Sequence, residues 1–139
     1  MKVGGLRSPY DKIQGIVYFG RMLDEIRLHA QEKLPEDYQE NLGKGFDGRC
    51  LQLLNVKYPD LIERVKKGGT DAEILEWCFS HGRKPGDEET EVWNDFLRKR
   101  GWNDEMSERL VMRKKEIGAA DRNDIQTFFD FIDADEGRK

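Results

Sequence analysis

The residues best suited to chemistry are charged side chains at helical spacing near the start of the chain, Arg21, Asp24 and Arg27. Placed at about 100° steps around a helix axis, Ile13, Ile16, Val17, Gly20, Leu23 and Ala30 share one face. Asp24 and Arg27 fall in the same arc, while Tyr18, Met22, Glu25 and His29 lie opposite. An ion pair on an apolar face must be hydrogen-bonded and neutralised, because stranding either member costs several kcal/mol. Arg21, Asp47 and Arg49 are the available partners. Two readings follow. One is an ionic staple that ties the helix to the segment after a glycine-rich loop. The other is a concave site in which Arg21, Arg27 and Arg49 hold a small anion, since guanidinium groups present planar forks to carboxylate or phosphate.

The loop Gly43-Lys44-Gly45-Phe46-Asp47-Gly48-Arg49 bears on the second reading, because glycines let backbone amides approach an anion at a following helix start. It has neither the Ser/Thr after Gly-Lys of a phosphate-binding P-loop nor the GxGxxG spacing of a dinucleotide site, and it also reads as an ordinary connector. The candidate ligand set is therefore Arg21, Asp24, Arg27, Lys44, Asp47 and Arg49. The leading expectation is a non-catalytic module that binds a small anionic ligand or a protein partner. The alternative is a small enzyme in which Asp24 or Asp47, its pKa raised in an apolar pocket, acts as general base beside those cations.

Other residues offer less. His29 reads as an exposed histidine within reach of Glu25, and His81 as a dipole partner at a helix C-terminus. Cys50 and Cys78 sit among apolar neighbours without a CxxC spacing and read as buried free thiols. Two Cys and two His, well separated, make a zinc site improbable, and no cofactor is implied. The carboxylates from Asp130 to Glu136 are too few residues from Lys139 for an EF-hand loop and read as a solvated acidic end. Trp77, Trp93 and Trp102 are expected in the core.

Helix start and stop signals recur along the chain, and no alternating segment is long enough for a strand. The first and longest helix is expected from Ser8, as N-cap with Pro9 at the first helical position, to about Glu32. A short turn from Pro35 leads into the loop. Asp47 then caps a helix through Leu54, and another covers Pro59 to Lys67. Thr70-Asp71-Ala72-Glu73 is a capping-box pattern for a helix closed by Gly82. Val92, Trp93, Phe96 and Leu97 face inward on the helix from Gly86 to Gly101. Met106, Leu110 and Ile117 do so on the next, and Ile125, Phe128, Phe129 and Ile132 on a last one from Asp121 to Ile132. The expected fold is all-α: one compact domain over residues 1–139, about seven helices with mixed crossing angles, and residues 1–7 flexible ahead of them.

Composition narrows the function classes. Lys+Arg at 24 against Asp+Glu at 28 leaves −4 overall, so the net basic face that nucleic acid requires is missing. No apolar run approaches the ~20 residues of a bilayer span, and the first residues lack an export signal, which points to the cytoplasm and to a monomer or weak homodimer. Arg7-Ser8-Pro9, Gly20-Arg21-Met22-Leu23-Asp24, Asp47-Gly48-Arg49, Ile74-Leu75-Glu76-Trp77-Cys78 and Asp124-Ile125-Gln126-Thr127-Phe128-Phe129-Asp130 together resemble a family of small bacterial proteins, domain of unknown function 5069. The resemblance spans nearly the whole chain and implies one domain in a bacterial cytoplasm, with no activity attached. It also implies that the Arg, Asp, Arg pattern of the first helix and the Asp-x-Arg after the loop belong to the family, here Arg21, Asp24, Arg27, Asp47 and Arg49. Gly-Lys-Gly-Phe before Asp47 departs from some members.

Overall fold

In the computed structural model, which describes residues 2–139, the chain opens with a hairpin and not with a helix. Strands β1 (Lys12–Ile13) and β2 (Ile16–Val17) pair antiparallel, with Lys12 opposite Val17 and Ile13 opposite Ile16. Gln14 and Gly15 both take positive φ, 47° and 82°, the two-residue geometry whose twist matches that of paired strands. The Pro9 carbonyl accepts from Tyr18 N at 3.0 Å, so Ser8-Pro9 closes the base of the hairpin and caps no helix. Helix α1 (Phe19–Ala30) starts only after Tyr18 has turned the chain in the left-handed region at φ 70°.

Seven further helices follow: α2 (Glu36–Gln39), α3 (Phe46–Leu54), α4 (Tyr58–Lys66), α5 (Asp71–His81), α6 (Asp87–Lys99), α7 (Ser107–Glu116) and α8 (Phe128–Asp135). The chain is thus mostly helical, a single domain of eight helices and one small hairpin among the described residues. The capping box is formed as expected: Thr70 Oγ1 accepts from Glu73 N at 3.1 Å, and Glu73 Oε1 accepts from Thr70 N at 2.8 Å. The last helix begins seven residues later than expected from Asp121, with Thr127 Oγ1 accepting from Asp130 N at 3.1 Å as its cap. Leu6 and Arg7, expected to lie loose before the domain, are packed into it, whereas Met1 lies outside the described residues.

Helix α1 is the axis of the molecule and packs on α3 and α4. Phe19, Met22 and Leu23 have no exposed surface and Ile26 has almost none, which by area alone favours folding by about 1.5–3 kcal/mol per side chain. Burial on both sides of its first two turns explains why a two-faced reading of this helix fails: Met22, Glu25 and Tyr18, expected opposite the apolar face, are buried as well, and His29 alone of that set is exposed.

Helix α6 departs from expectation in the opposite sense. Its inward residues are Asn94 and Leu97, because Asn94 Oδ1 accepts from Val17 N at 3.2 Å and its Nδ2 donates to the Gly15 carbonyl at 2.7 Å, satisfying the hairpin backbone. That anchor turns Val92 and Phe96 outward, leaving them 66% and 41% exposed. Trp102 is also exposed, Trp77 and Trp93 are half-buried, and on α7 Leu110 is buried whereas Ile117 is not.

Candidate functional site

The ionised groups of α1 are satisfied by neighbouring segments, but the segments differ from those expected. On one side Arg7 grips Asp24 with both ends of its guanidinium, Nε to Oδ2 and Nη2 to Oδ1, each at 2.9 Å, and its backbone N–H donates to Oδ2 at 3.0 Å. Arg7 Nη1 donates to Asp71 Oδ2 at 2.8 Å, and Arg27 Nη1 to Asp71 Oδ1 at 2.7 Å, so Asp71 at the start of α5 bridges the two arginines. The hydrogen bonds it donates to Asp24 hold the Arg7 guanidinium charged, and although burial opposes charge on Asp71, the two arginines keep its pKa below the usual range.

Gly20 makes the Arg7 grip possible. Arg7 Nη2 donates to the Gly20 carbonyl at 3.1 Å, and a Cβ on Gly20 would stand 2.9 Å from the guanidinium carbon. Alanine is ordinarily better than glycine inside a helix by about 1 kcal/mol, but here the collision outweighs that gain. Gly20→Ala is expected to destabilise by about 1–3 kcal/mol in a denaturant melt. The cost should shrink in an Arg7→Gln background, where the colliding group is shorter; an equal cost in both backgrounds would dissociate Gly20 from Arg7.

A second group joins α1 to the C-terminal segment. Arg21 forks onto Glu136, Nη1 to Oε1 at 2.8 Å and Nη2 to Oε2 at 2.7 Å, and both side chains are buried. Nη1 also donates to the Arg7 carbonyl at 3.0 Å. Glu136 further accepts from Tyr38 Oη at 3.0 Å and from Arg138 Nη1 at 2.6 Å, while Arg138 reaches Asp133 and the Leu6 carbonyl. Burial alone would raise the Glu136 pKa; the hydrogen bonds from Arg21 and Arg138 overcome it and hold the group ionised. The expected solvated acidic end is therefore a docked clasp. Asp133 and Glu136 are buried, and Asp130 accepts from Tyr10 Oη at 2.7 Å.

The third group lies where α1 meets the glycine-rich loop. Tyr18 Oη donates to Asp47 Oδ1 at 2.8 Å and lies 3.3 Å from Glu25 Oε1, and the second Asp47 oxygen accepts from Gly43 N at 3.0 Å. Glu25 and Asp47 hydrogen-bond to each other. Burial, then the negative charge of Asp47, pushes the Glu25 pKa well up; burial also raises Asp47, against the hydrogen bonds it accepts from Glu25, Gly43 and Tyr18. A phenol has one proton, and the shorter contact takes it, so a proton retained by Glu25 completes the bond to Asp47. Burial thus favours a proton on this pair, Glu25 being raised the further of the two. The loop amide at Gly43 is spent on Asp47 and is not open to an outside anion.

The six expected site residues thus fall into separate groups. Arg21 holds Glu136, Asp24 and Arg27 belong with Arg7 and Asp71, and Asp47 pairs with Glu25. Lys44 and Arg49 are exposed, and the Arg49 guanidinium lies 5.0 Å above the Phe96 ring. The polar partners of Asp24 and Arg27 are Arg7, Asp71 and each other, and the 47–49 stretch supplies none of them. Arg7, Glu25, Asp71, Tyr38, Glu136 and Arg138 complete the networks and were not foreseen. No buried side-chain polar atom among the described residues lacks a partner.

Open surface lies elsewhere. A cleft of about 770 Å³ runs between α3 and α6, lined by Arg49, Leu53, Arg83, Val92, Trp93 and Phe96 among others. A smaller one of about 440 Å³ lies between α4 and α5, with Lys57, Arg64, Lys67, Trp77 and His81 on its walls together with the carboxylates of Asp60 and Glu63. The Trp77 and His81 rings are stacked at 4.5 Å, and His81 Nδ1 lies 3.1 Å from the Trp77 carbonyl. Neither cleft is lined by Asp24, Glu25 or Asp47.

With the fold and its charge networks in place, comparison with known families gives one match, to the model for domain of unknown function 5069, over residues 4–138. The chain belongs to this family. No curated protein matches it. As a DUF5069 domain it is spanned by the family model from the segment just before the hairpin to the C-terminal clasp, so Arg7 and Arg138, at the two ends of the clasp, both lie within the family's extent. Among the described residues no helix is long and apolar enough to cross a membrane, and no group of three or more His, Cys, Asp or Glu side chains is placed to hold a metal ion.

Proposed function

We propose that this DUF5069 domain is a protein-interaction module that docks a partner in the cleft between α3 and α6. One observation carries the reading: the buried charges are used up inside the molecule, whereas Val92 and Phe96 stand exposed on a helix whose inward side is already filled. Exposed aromatic and aliphatic residues that line one concavity with arginine at its edge have the composition of an interface centre. A catalytic role for Asp24 or Asp47 has no comparable support. Asp24 is gripped by Arg7, and Asp47 is sealed from both clefts. Cys50 and Cys78, both buried and unbonded, suit a reducing compartment, in keeping with a bacterial cytoplasm.

A second reading, a small anionic ligand, draws support from the α4–α5 cleft. Lys57 and Lys67 there have no carboxylate partner among the described residues, and the Trp77–His81 stack forms one wall.

The docking reading is tested by placing a photo-reactive benzoylphenylalanine at position 92, with the exposed Glu116 of α7 as the control position, and irradiating living cells. Discrete higher-mass adducts from position 92 and none from position 116 are expected. Equal, diffuse labelling from both positions would count against a docking surface on α6.

A further inference from the structure

The charge pattern of α6 bears on the kind of partner that would fit it. The helix reads Asp-Glu-Glu at its first turn and Arg-Lys-Arg at its end, with Val92 and Phe96 exposed between them. Acids at the N-terminus and bases at the C-terminus suit the helix dipole within one chain. The same polarity makes the helix complementary to a copy of itself running the other way. In the antiparallel register that sets Val92 against Phe96 of a second α6, Glu88 falls opposite Arg100, a contact that occurs twice, as a two-fold interface requires, while Glu89 is already held by Arg83 of its own chain.

Side-chain placement agrees with this register. Glu88 has no hydrogen-bond or ion-pair partner among the described residues, although it lines the α3–α6 cleft. At the other end the Phe96 ring is flanked by two cations, Arg49 at 5.0 Å and Arg100 at 5.2 Å. Arg100 is partly neutralised by Asp104 at 3.4 Å, whereas Arg49 has no carboxylate among the described residues. Each copy therefore offers the unpaired Glu88 and the Phe96 ring on α6, with the unpaired Arg49 of α3 beside that ring, along a single exposed stripe. Helix α6 is 13 residues, so the stripe is about 20 Å long.

We propose that the exposed face of α6 is the contact of a two-fold dimer of this chain, α6 antiparallel on α6, with Glu88 of each copy meeting the Arg49 and Arg100 cations beside Phe96 of the other. The proposal rests on the α3–α6 cleft being a docking surface, and it names the occupant as a second copy. Arg49, read from the sequence as a candidate anion ligand, then binds a carboxylate carried by the partner.

Sedimentation equilibrium of the full chain over micromolar to millimolar concentration tests it. A reversible monomer–dimer equilibrium is expected, abolished by Val92→Glu. Glu88→Arg and Arg49→Glu alone should each raise the dissociation constant by about tenfold or more, since each sets like charges face to face twice. An equimolar mixture of those two variants should dimerise again. In the mixed pair the arginine introduced in one variant meets the glutamate introduced in the other, and the unaltered Glu88 of the second meets the unaltered Arg49 of the first. Circular dichroism and thermal melting check that each variant is folded, and Lys115→Glu on α7 serves as a charge change off the surface. A monomer at every concentration, a dimer indifferent to Val92→Glu, or a mixture that stays monomeric would each overturn the proposal. The photo-adducts at position 92 separate that failure from failure of the docking reading: adducts of some other mass keep the surface and remove the self-partner, and no adducts remove both.

Discussion

Removing the Glu136 carboxylate is expected to be the most damaging single change in the molecule. Glu136→Ala leaves Arg21 charged and buried with the Arg7 carbonyl as its one remaining hydrogen-bond acceptor among the described residues, and also takes away an acceptor from Tyr38 and from Arg138. Breaking a buried pair from one side typically costs about 3–5 kcal/mol, because the surviving charge cannot be rehydrated. For a chain of 139 residues that corresponds to a fall in Tm of roughly 10 °C or more. The double variant Arg21→Met with Glu136→Leu should recover a good part of the loss, since a hydrophobic pair of similar volume carries no stranded charge. A Glu136→Ala protein that melts within a degree or two of the parent would mean that the C-terminal clasp does not stabilise the fold.

The second large effect is a dependence of stability on pH set by Glu25 and Asp47. Both carboxyls have pKa values raised by burial in the folded chain, so the folded state holds a proton that the unfolded chain releases near pH 4. The stability associated with that proton is full below about pH 4 and is lost as the pH climbs from there through the raised folded value. Tyr18, Arg21, Tyr58 and the Gly43 amide all face the pair, with Cys50 close to Asp47, and of these only Arg21 brings an opposing positive charge. Glu25→Gln keeps a donor to Asp47 and removes the ionisable group. Denaturant melts should show the variant matching the parent near pH 4 and exceeding it by about 1–3 kcal/mol near pH 8. A difference that stays flat over that range would show that the parent carries no raised carboxyl there.

Glu136 and Asp71 act in the opposite direction. Their pKa values are lowered in the folded chain, so their contribution is present above the unfolded carboxylate range and disappears as the pH falls through it. The two trends oppose each other. The Glu25→Gln comparison isolates one of them, because the arginine-bound carboxylates are the same in both proteins.

What could be read from the sequence was whatever depended on neighbours within a few residues. The Thr70–Glu73 capping box closes over three residues and forms as written. The helical class, the single domain and the burial of both cysteines follow from periodicity and composition in the same way. Ser8-Pro9 is an equally good local signal, yet it yields a hairpin base. Ile13, Ile16 and Val17 suit either a helix face or a two-residue strand pair, and Gln14-Gly15 carries the positive-φ turn without the Asn or Asp that usually announces it. The strand pairing then gains Asn94 from α6, a partner nearly eighty residues away that no local rule supplies.

The charged site was half legible for the same reason. That the ionised residues of the first helix must be satisfied follows from the cost of stranding them, and they are satisfied. Which groups satisfy them depends on tertiary placement: Arg7 is 17 residues from Asp24, and Glu136 is 115 from Arg21. Glu25, expected on the polar side near His29, is buried instead, because the middle of this helix is covered on that side too. The outward turn of Val92 and Phe96 was missed because apolar residues at helical spacing say that a stripe exists without saying whether the chain itself covers it.

The claim on which the rest depends is that the arginines of α1 are paired with carboxylates of the protein itself and the working surface is α6. A thermal-shift titration of the parent and of Arg27→Gln with inorganic phosphate, nucleotides and small carboxylates tests it most directly. The expected result is that no compound produces a saturable rise in Tm that the Arg27 variant has lost; a shift arising at the α4–α5 cleft would persist in both proteins. A saturable rise of several degrees in the parent that vanishes in a folded Arg27→Gln protein would contradict the account and return the arginines of the first helix to the role of ligands.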